Sequence, residues 1–313
     1  MTKIVFMGTP DFSVPILEQI VKDGYQVSLV VTQPDRPKGR KKILTPPPVK
    51  VAAQQLNIPV FQPEKIREDY QVVLDEKPDL IVTAAFGQIL PNPILDEPEL
   101  GCINVHASLL PAYRGGAPIH QAIIDGKKET GVTIMYMTEA LDAGDMIAKR
   151  AIPIEEDDHV GSMFEKLSTV GRELLSETLP QVVAGTINPE KQNEAAITFA
   201  PNIKREQEVI DWQRSNLEIY NQVRGLHPWP VAVTSIDHTP LKLWWVVTSD
   251  KETSKAPGTI IEVTKDAVVI QAGQGSIVLT DVQLAGKKRM AIKDYLNGNH
   301  PFEVGKVLGK LND

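Results

Sequence analysis

The sequence contains one cysteine, Cys102, in 313 residues. An internal disulfide is therefore excluded, and no Cys/His cluster at metal-ligand spacing offers a structural metal site. Both absences fit a reducing, cytoplasmic setting without a metal. No run approaches the ~18 consecutive apolar residues of a membrane-spanning helix, so no membrane partner is expected. Met1-Thr2-Lys3-Ile4-Val5-Phe6 passes directly into an apolar run, without the basic segment, long apolar stretch and small-residue cleavage site of an export signal. Internal repeats and low-complexity tracts are also missing. Where a dinucleotide fold needs Gly-x-Gly-x-x-Gly, Gly8-Thr9-Pro10-Asp11 offers one glycine and then a proline, which speaks against a nicotinamide cofactor. Positive charge is not in excess either. The formal net charge of -7 argues at first sight against a nucleic-acid partner, whose phosphates require local positive potential.

What is present is ordinary for a soluble globular chain: 42% apolar and 23% charged residues. The length exceeds what one hydrophobic core usually serves, so two domains are expected. The charge is bipolar. Residues 34–50 hold Arg36, Lys38, Arg40, Lys41, Lys42 and Lys50 against one acid, Asp35, and Lys287-Lys288-Arg289 form a second cluster. Such runs are usually a solvated surface, yet each can also hold a polyanion locally.

Strand and helix signals alternate in the first part. Residues 3–7 form a short apolar run closed by Gly8, and 13–21 read as a helix with Asp11 or Ser13 as cap. Residues 26–32, 79–85, 101–106 and 131–137 are further strands. This alternation predicts an α/β unit, a Rossmann-like, mostly parallel sheet with helices on both faces. A long helix is expected over 160–183, where Val160, Met163, Phe164, Leu167, Val170 and Leu174 recur at three- and four-residue spacing, disturbed near its end by Pro180. After Gly185 the chain turns polar and irregular, which places a linker from about 186 and divides the chain into domains 1–203 and 204–313. In the second, a helix at 216–224 precedes short strands at 241–247, 258–263, 267–272 and 276–284, which predict a smaller C-terminal β-barrel, OB-like in plan. The absence of an apolar seam fits a monomer.

The candidate chemistry lies in Cys102-Ile103-Asn104-Val105-His106-Ala107-Ser108-Leu109-Leu110-Pro111. Alternate side chains of a strand share a face, so Asn104 and His106 project together, at the carboxyl end where open α/β sheets place their ligands. An amide beside an imidazole serves acyl transfer: the amide donates to a developing oxyanion and the imidazole holds or moves a proton. A carboxylate would tune that imidazole, and Leu141-Asp142-Ala143-Gly144-Asp145 supplies one in a turn after the strand at 131–137. An isolated Asn-x-His is also ordinary surface or a satisfied buried pair, and Asp142 alone reads as a turn residue, so spacing does not decide. His120 reads as a helix-face residue and Cys102 as a buried, inert thiol. Alternation puts one of Trp244 and Trp245 in the core. His159, His238 and His300 receive no role.

Asn104-Val105-His106-Ala107-Ser108-Leu109-Leu110-Pro111, followed by Tyr113-Arg114-Gly115-Gly116-Ala117-Pro118-Ile119, resembles the signature of the 10-formyltetrahydrofolate-dependent formyltransferases. Gly131-Val132-Thr133-Ile134-Met135 and Leu141-Asp142-Ala143-Gly144-Asp145 are similar to that family's second motif. The resemblance implies that Asn104 stabilises a tetrahedral oxyanion, that His106 assists proton transfer, and that Asp142 sets the imidazole's charge and shuttles protons through water. It implies a formyl donor, 10-formyltetrahydrofolate, lying along Ser108, Leu109, Leu110 and Pro111, with its pterin near Phe86, Gly87, Gln88, Ile89 and Leu90 and near the loop that carries Glu139, Leu141 and Asp142.

Gly8-Thr9-Pro10-Asp11-Phe12, Thr32-Gln33-Pro34-Asp35-Arg36-Pro37-Lys38-Gly39-Arg40, Thr45-Pro46-Pro47-Pro48-Val49-Lys50 and Leu226-His227-Pro228-Trp229-Pro230 resemble the branch of that family whose acceptor is methionine carried by initiator tRNA, initiator methionyl-tRNA. The rival acceptors are glycinamide ribonucleotide and nucleotide amino sugars. On this resemblance the basic segment 34–50 is a loop inserted after the second strand, kept from helix by Pro34, Pro37, Pro46, Pro47 and Pro48, and mobile until tRNA orders it. It would bring Arg36, Lys38, Arg40, Lys41 and Lys42 to the acceptor arm, while the C-terminal barrel adds Lys287, Lys288 and Arg289.

Overall fold

The computed structural model describes residues 2–39 and 41–309. It divides into two compact units. Unit 1 comprises Met1–Pro118, Glu129–Pro153 and Phe164–Pro201, and unit 2 comprises Ile119–Lys128, Ile154–Met163 and Asn202–Asp313.

In chain order the first elements are β1 (Lys3–Gly8), α1 (Val14–Lys22), β2 (Gln26–Val31), β3 (Arg36–Lys38), β4 (Ile43–Thr45), α2 (Pro48–Gln55), β5 (Val60–Phe61) and α3 (Gln71–Asp75). There follow β6 (Leu80–Ala84), α4 (Asn92–Asp96), β7 (Cys102–His106), α5 (Pro118–Ile124), β8 (Glu129–Tyr136), β9 (Met146–Pro153) and α6 (Val160–Ala184). The main sheet of unit 1 has seven strands in the order β5-β2-β1-β6-β7-β8-β9. Pairing is parallel from β5 to β7 and antiparallel at β7–β8 and β8–β9. The continuous apolar runs of β1 and β6 follow from burial on both faces. On one face Val5, Met7, Ile81 and Cys102 share a core cluster with Val73 of α3 and Ile94 of α4. On the other, Gly171 of α6 lies so close that a Cβ there would stand 3.0 Å from Val105 Cγ1 and 3.6 Å from Ile16 Cδ1 of α1.

Three features of unit 1 add to the sequence expectations. The basic loop contains a β-hairpin, with β3 and β4 paired antiparallel through Arg36 with Thr45 and Lys38 with Ile43. Proline at 37 is compatible with a two-stranded ribbon because each strand has a free edge. Helix α6 runs through Pro180 to Ala184. The missing main-chain hydrogen bond is offset by Leu174, Leu175, Leu179 and Val182, buried on either side of it. Finally, the polar segment expected as a linker is stitched to unit 1 as far as Pro201: Met146 and Glu190 exchange backbone hydrogen bonds of 2.8 Å, and Arg114 donates to Thr198 O and accepts from Ala200 N at 2.9 and 2.7 Å. Its anchors are backbone groups, which leave no apolar period to read.

Unit 2 contains α7 (Arg205–Glu208), α8 (Asn216–Gly225), β10 (Ala232–Ile236), β11 (Thr239–Ser249), β12 (Ile260–Val263), β13 (Val268–Gln271), β14 (Ser276–Leu284), β15 (Met290–Ala291) and α9 (Ile292–Leu296). Helix α8 starts at a capping box, Ser215 with Glu218. The strands form an antiparallel sheet in the order β10-β11-β14-β13-β12, with β15 on β14. Residues 306–309 close it. Ile260 N donates to Lys306 O and Leu308 N to Gly258 O, both at 2.8 Å, while Ser235 and Gly309 exchange bonds of 3.0 Å. Both sheet edges are thereby bridged into a small barrel, filled by Leu241, Leu243, Val268, Ile270, Ile277 and Leu279. A bulge at Trp244 and Trp245 breaks the alternation of β11. Both tryptophans are therefore half-buried, where strict alternation predicts one inside and one outside.

Candidate active site

Asn104 and His106 stand on one face of β7, as the strand period requires. Thr83 of β6 is the cross-strand neighbour of Asn104, and its buried hydroxyl donates to Asn104 Oδ1 at 2.8 Å. A hydroxyl on the amide oxygen fixes the amide plane and leaves Nδ2 as the outward donor. Nδ2 meets no acceptor among the described residues. An oriented amide N–H at the carboxyl end of a parallel strand is the device that stabilises a developing oxyanion.

His106 is 6% exposed, and its Nε2 lies 3.0 Å from Tyr113 O. A carbonyl only accepts, so Nε2 carries a proton and Nδ1 is the nitrogen that faces Asp142, with Oδ2 at 3.7 Å. The structure thus brings together Asn104, His106 and Asp142. Asp142 itself adopts the left-handed region, φ 49°, and its Oδ2 accepts from Gly115 N at 2.8 Å. Gly115 is there because no side chain fits: its φ is 118°, and a Cβ would stand 2.7 Å from Ala200 O. Gly144 is required for the same reason, since a Cβ would fall 1.9 Å from Tyr136 O.

One residue of this site is invisible to sequence reasoning. Gln192 donates through Nε2 to Asp142 O and to Gly144 O, both at 2.8 Å, and its Oε1 accepts from Arg114 Nε and Nη2 at 3.1 and 2.8 Å. It pins the Asp142 turn to the loop after β7 from a segment that reads as linker.

Around the trio, Thr133 Oγ1 donates to Ser108 O at 2.7 Å and accepts from Leu110 N at 3.1 Å, which fixes the loop carrying Ser108, Leu109, Leu110 and Pro111. Ser108 is buried and its hydroxyl donates to Ala112 O at 2.7 Å, so it is not a free nucleophile. Cys102 is not one either, because burial pushes its thiol up to about 12. Of the side chains expected near a pterin, Phe86 and Leu90 are buried in the core cluster. Gln88 is committed as well, accepting from Ile66 N at 2.7 Å and donating to Pro63 O at 3.1 Å. Ile89 and Leu141, by contrast, are 77% and 59% exposed, two large apolar side chains in solvent on the loops that follow β6 and β8, and Glu139 is also exposed. Among the described residues no group of three or more His, Cys, Asp or Glu is placed to hold a metal ion, and no helix is long and apolar enough to cross a membrane.

The cations divide into paired and free. Arg36 meets Glu64 at 2.7 Å and Lys50 meets Asp35 at 2.8 Å. Hydrogen bonds from Gln62 and then from Lys50 hold the Asp35 carboxyl below its usual range. Lys38, Lys41 and Lys42 are exposed on the hairpin and make no ion pair among the described residues, while Arg40 lies outside the described residues. In unit 2, Arg289 is bound to Asp281 and lies over the Trp244 ring at 4.2 Å. Gln283 donates to Lys287 O at 3.1 Å and Tyr295 to Lys288 O at 3.2 Å, leaving the exposed Lys287 and Lys288 side chains in solvent.

A fixed amide donor, an imidazole and a carboxylate at the carboxyl edge of a mostly parallel sheet are a set that can serve acyl transfer, and the comparisons show a family named for one acyl group. Residues 2–179 match the formyl transferase family and residues 202–300 match the formyl transferase C-terminal domain. The chain belongs to the formyl transferase family. It is 59% identical to the methionyl-tRNA formyltransferase of Bacillus subtilis (strain 168), covering 100% of this chain and 99% of that protein. It is 60% identical to the protein of the same name from Lysinibacillus sphaericus (strain C3-41), covering 95% and 96%. Among solved structures, an N-formyltransferase from Helicobacter canadensis, in complex with folinic acid and dTDP-3-aminofucose, shares the fold. Its TM-score is 0.68 at 19% identity, covering 93% of this chain and 100% of that one.

Proposed function

We propose that this chain transfers the formyl group of 10-formyltetrahydrofolate to the free α-amine of methionine esterified to initiator tRNA, giving N-formylmethionyl-tRNA and tetrahydrofolate. The observation that carries the reading is Asn104: with its oxygen taken by Thr83, the amide nitrogen is left to donate beside His106. Negative charge grows on the formyl oxygen as the amine adds, and a fixed donor stabilises that charge more than it stabilises the bound substrate. His106, with Nδ1 facing Asp142, accounts for the proton that the amine must lose. The nucleophile arrives with the substrate, in keeping with the buried Cys102 thiol and the committed Ser108 hydroxyl.

The donor fits the loop of Ser108, Leu109, Leu110 and Pro111, with exposed Ile89 and Leu141 offering apolar cover to its flat ring and Glu139 a polar contact. The tRNA acceptor is supported by the name shared by relatives 59% and 60% identical and by the unpaired cations Lys38, Lys41 and Lys42 on the hairpin, with Lys287 and Lys288 in unit 2. Arg36 and Arg289 enter this reading as cations already held by Glu64 and Asp281.

The test is formyl transfer to charged methionyl-tRNA beside glycinamide ribonucleotide and an amino-sugar nucleotide. Turnover on the charged tRNA alone is the expected result, and turnover only on a small amine overturns the acceptor. Asn104→Ala should bind folate and lose about 10²- to 10³-fold in kcat, so wild-type turnover in that variant removes the oxyanion role.

A further inference from the structure

Strand register puts Lys149 in line with the candidate site of unit 1. His106 of β7 pairs with Thr133 of β8, and Thr133 pairs in turn with Lys149 of β9. Cross-strand partners share a sheet face, so His106, Thr133 and Lys149 form one row. The neighbouring Arg150 belongs to the other face, where Glu173 and Glu177 of α6 pair with it. Lys149 has no such counter-charge. It is exposed, it makes no ion pair among the described residues, and its one hydrogen bond is long, 3.4 Å from Nζ to Leu110 O.

What lies between the two ends of the row is apolar. Thr133 holds the loop of Leu109, Leu110 and Pro111 on β8 through Ser108 O and Leu110 N. Leu110 is buried, and Leu109 packs so closely on Gly131 that a Cβ there would stand 2.6 Å from Leu109 Cδ2. An apolar floor that begins at the amide and imidazole and ends at a free ammonium group fits a ligand with a flat apolar middle and an anionic end. The lengths agree. Two strand spacings separate the His106 and Lys149 backbones by about 10 Å. In 10-formyltetrahydrofolate a benzoyl ring and one amide separate the formyl-bearing nitrogen from the glutamyl α-carbon by about 8 Å at ordinary bond lengths. The glutamyl carboxylates extend beyond that point, and the flexible lysine stem covers the remainder. The sugar-phosphate chain of an RNA suits this floor poorly, because its ribose hydroxyls would be set against leucine side chains.

We infer that Lys149 binds a glutamyl carboxylate of the formyl donor, an inference that rests on the donor reading above. Lys149 is then a specificity-determining contact, which distinguishes the glutamylated donor from the same ring system without its amino-acid tail. It stands away from the reacting atoms, so it acts on the affinity for the donor and not on the chemical step. An exposed ion pair of this kind contributes modestly and is weakened by salt.

The probes are folinic acid and its counterpart without the glutamate, 5-formyltetrahydropteroate, titrated calorimetrically into the full-length protein. Wild type should bind folinic acid about three- to fivefold more tightly, and the preference should shrink as salt is raised. Lys149→Met keeps the apolar stem and removes the charge. Its affinity for folinic acid should fall to that for the pteroate, which itself stays unchanged, and its melting temperature should match wild type. Lys149→Arg keeps the charge and should keep the preference. In steady-state transfer the KM for 10-formyltetrahydrofolate should rise about three- to fivefold in Lys149→Met, with kcat and the KM for methionyl-tRNA unaltered. The proposal is overturned if wild type binds the two compounds equally, if Lys149→Met weakens both by the same factor, or if the KM that rises is that for methionyl-tRNA, which assigns the lysine to an RNA phosphate. The two readings fail differently. Formyl transfer by a wild type that shows no preference for the glutamyl compound sinks the role of Lys149 alone, whereas a wild type that neither binds these compounds nor transfers formyl removes the donor reading with it.

Discussion

Gln192→Ala should lower kcat/KM for formyl transfer by about 10- to 100-fold while the protein stays folded. The side chain makes four hydrogen bonds, two to the carbonyls of Asp142 and Gly144 and two from the Arg114 guanidinium. Each is worth about 1 kcal/mol net, and water re-enters a half-buried position, so the loss of stability should stay near ~2 kcal/mol, less than a typical domain possesses. The effect on the site is larger in proportion. Asp142 sits at φ 49°, a conformation that an L residue holds only when its surroundings enforce it. Without Gln192 the turn relaxes and the carboxylate leaves its place 3.7 Å from His106 Nδ1. A misplacement of about 1 Å costs on the order of 10² in rate. The assay is steady-state formyl transfer with each substrate varied, beside thermal unfolding. The fall should appear in kcat, with KM for the folate little changed. Gln192→Glu keeps an acceptor for Arg114 but sets a carboxylate against two carbonyls, so it should not rescue. Wild-type kcat/KM in Gln192→Ala, or full activity in Gln192→Glu, refutes the positioning role.

Thr83→Val keeps the volume of β6 but frees the Asn104 amide to rotate, and kcat should fall about tenfold; an unaltered kcat shows that β7 alone orients the amide. Lys41→Ala with Lys42→Ala should weaken tRNA binding and make its salt dependence shallower, because fewer counterions are released; an unchanged slope removes the hairpin from the binding face. The native Cys102 thiol, held near 12 by burial, should resist iodoacetamide near neutral pH until the protein is unfolded, and stoichiometric alkylation of the folded protein contradicts this. Burial also lowers His120 and His227 below the ordinary 6.5, with His159 adding to the effect at His227. The unfolded chain therefore binds more protons in this range, so the stability these residues contribute is fully present above about pH 6.5 and is lost as pH falls through their lower folded values. Denaturation midpoints should fall from about pH 7 to pH 5, with a shallower fall in the double variant His120→Gln, His227→Gln; an undiminished fall assigns the pH dependence to other groups.

What was legible in the sequence was what burial and strand parity impose. β1 and β6 announce themselves as apolar runs because both faces of a parallel sheet are covered, and in β7 parity alone puts Asn104 and His106 on one face. α6 was legible from its three- and four-residue apolar spacing, and it runs to Ala184, one residue beyond the expected 183, with buried leucines on either side of Pro180. β9 was missed since its residue types, Met146-Ile147-Ala148-Lys149-Arg150-Ala151-Ile152-Pro153, do not alternate apolar with polar although its burial does, and the hairpin because prolines obscure a ribbon as short as β3 and β4. Trp244 and Trp245 share burial only because a bulge interrupts the period, and no residue type marks that bulge.

The candidate site divides along the same line, and the division has a physical cause. Asn104, His106 and Asp142 are chemically distinctive, so residue type finds them. The groups that hold them are not: Thr83, the Tyr113 carbonyl and the Gly115 N–H each act through one hydrogen bond and Gln192 through four, on backbone, amide or guanidinium atoms, which many residues supply. Gln192 lies 50 positions from Asp142 in a segment with no period, where composition suggests a linker. Acyl transfer demands placement to a fraction of an ångström, and placement of that quality comes from directed hydrogen bonds more than from apolar burial. The residues that orient a site of this kind therefore lie where hydrophobic patterning is weakest, which is why the Gln192 variants test the architecture of the site more directly than removal of the trio itself.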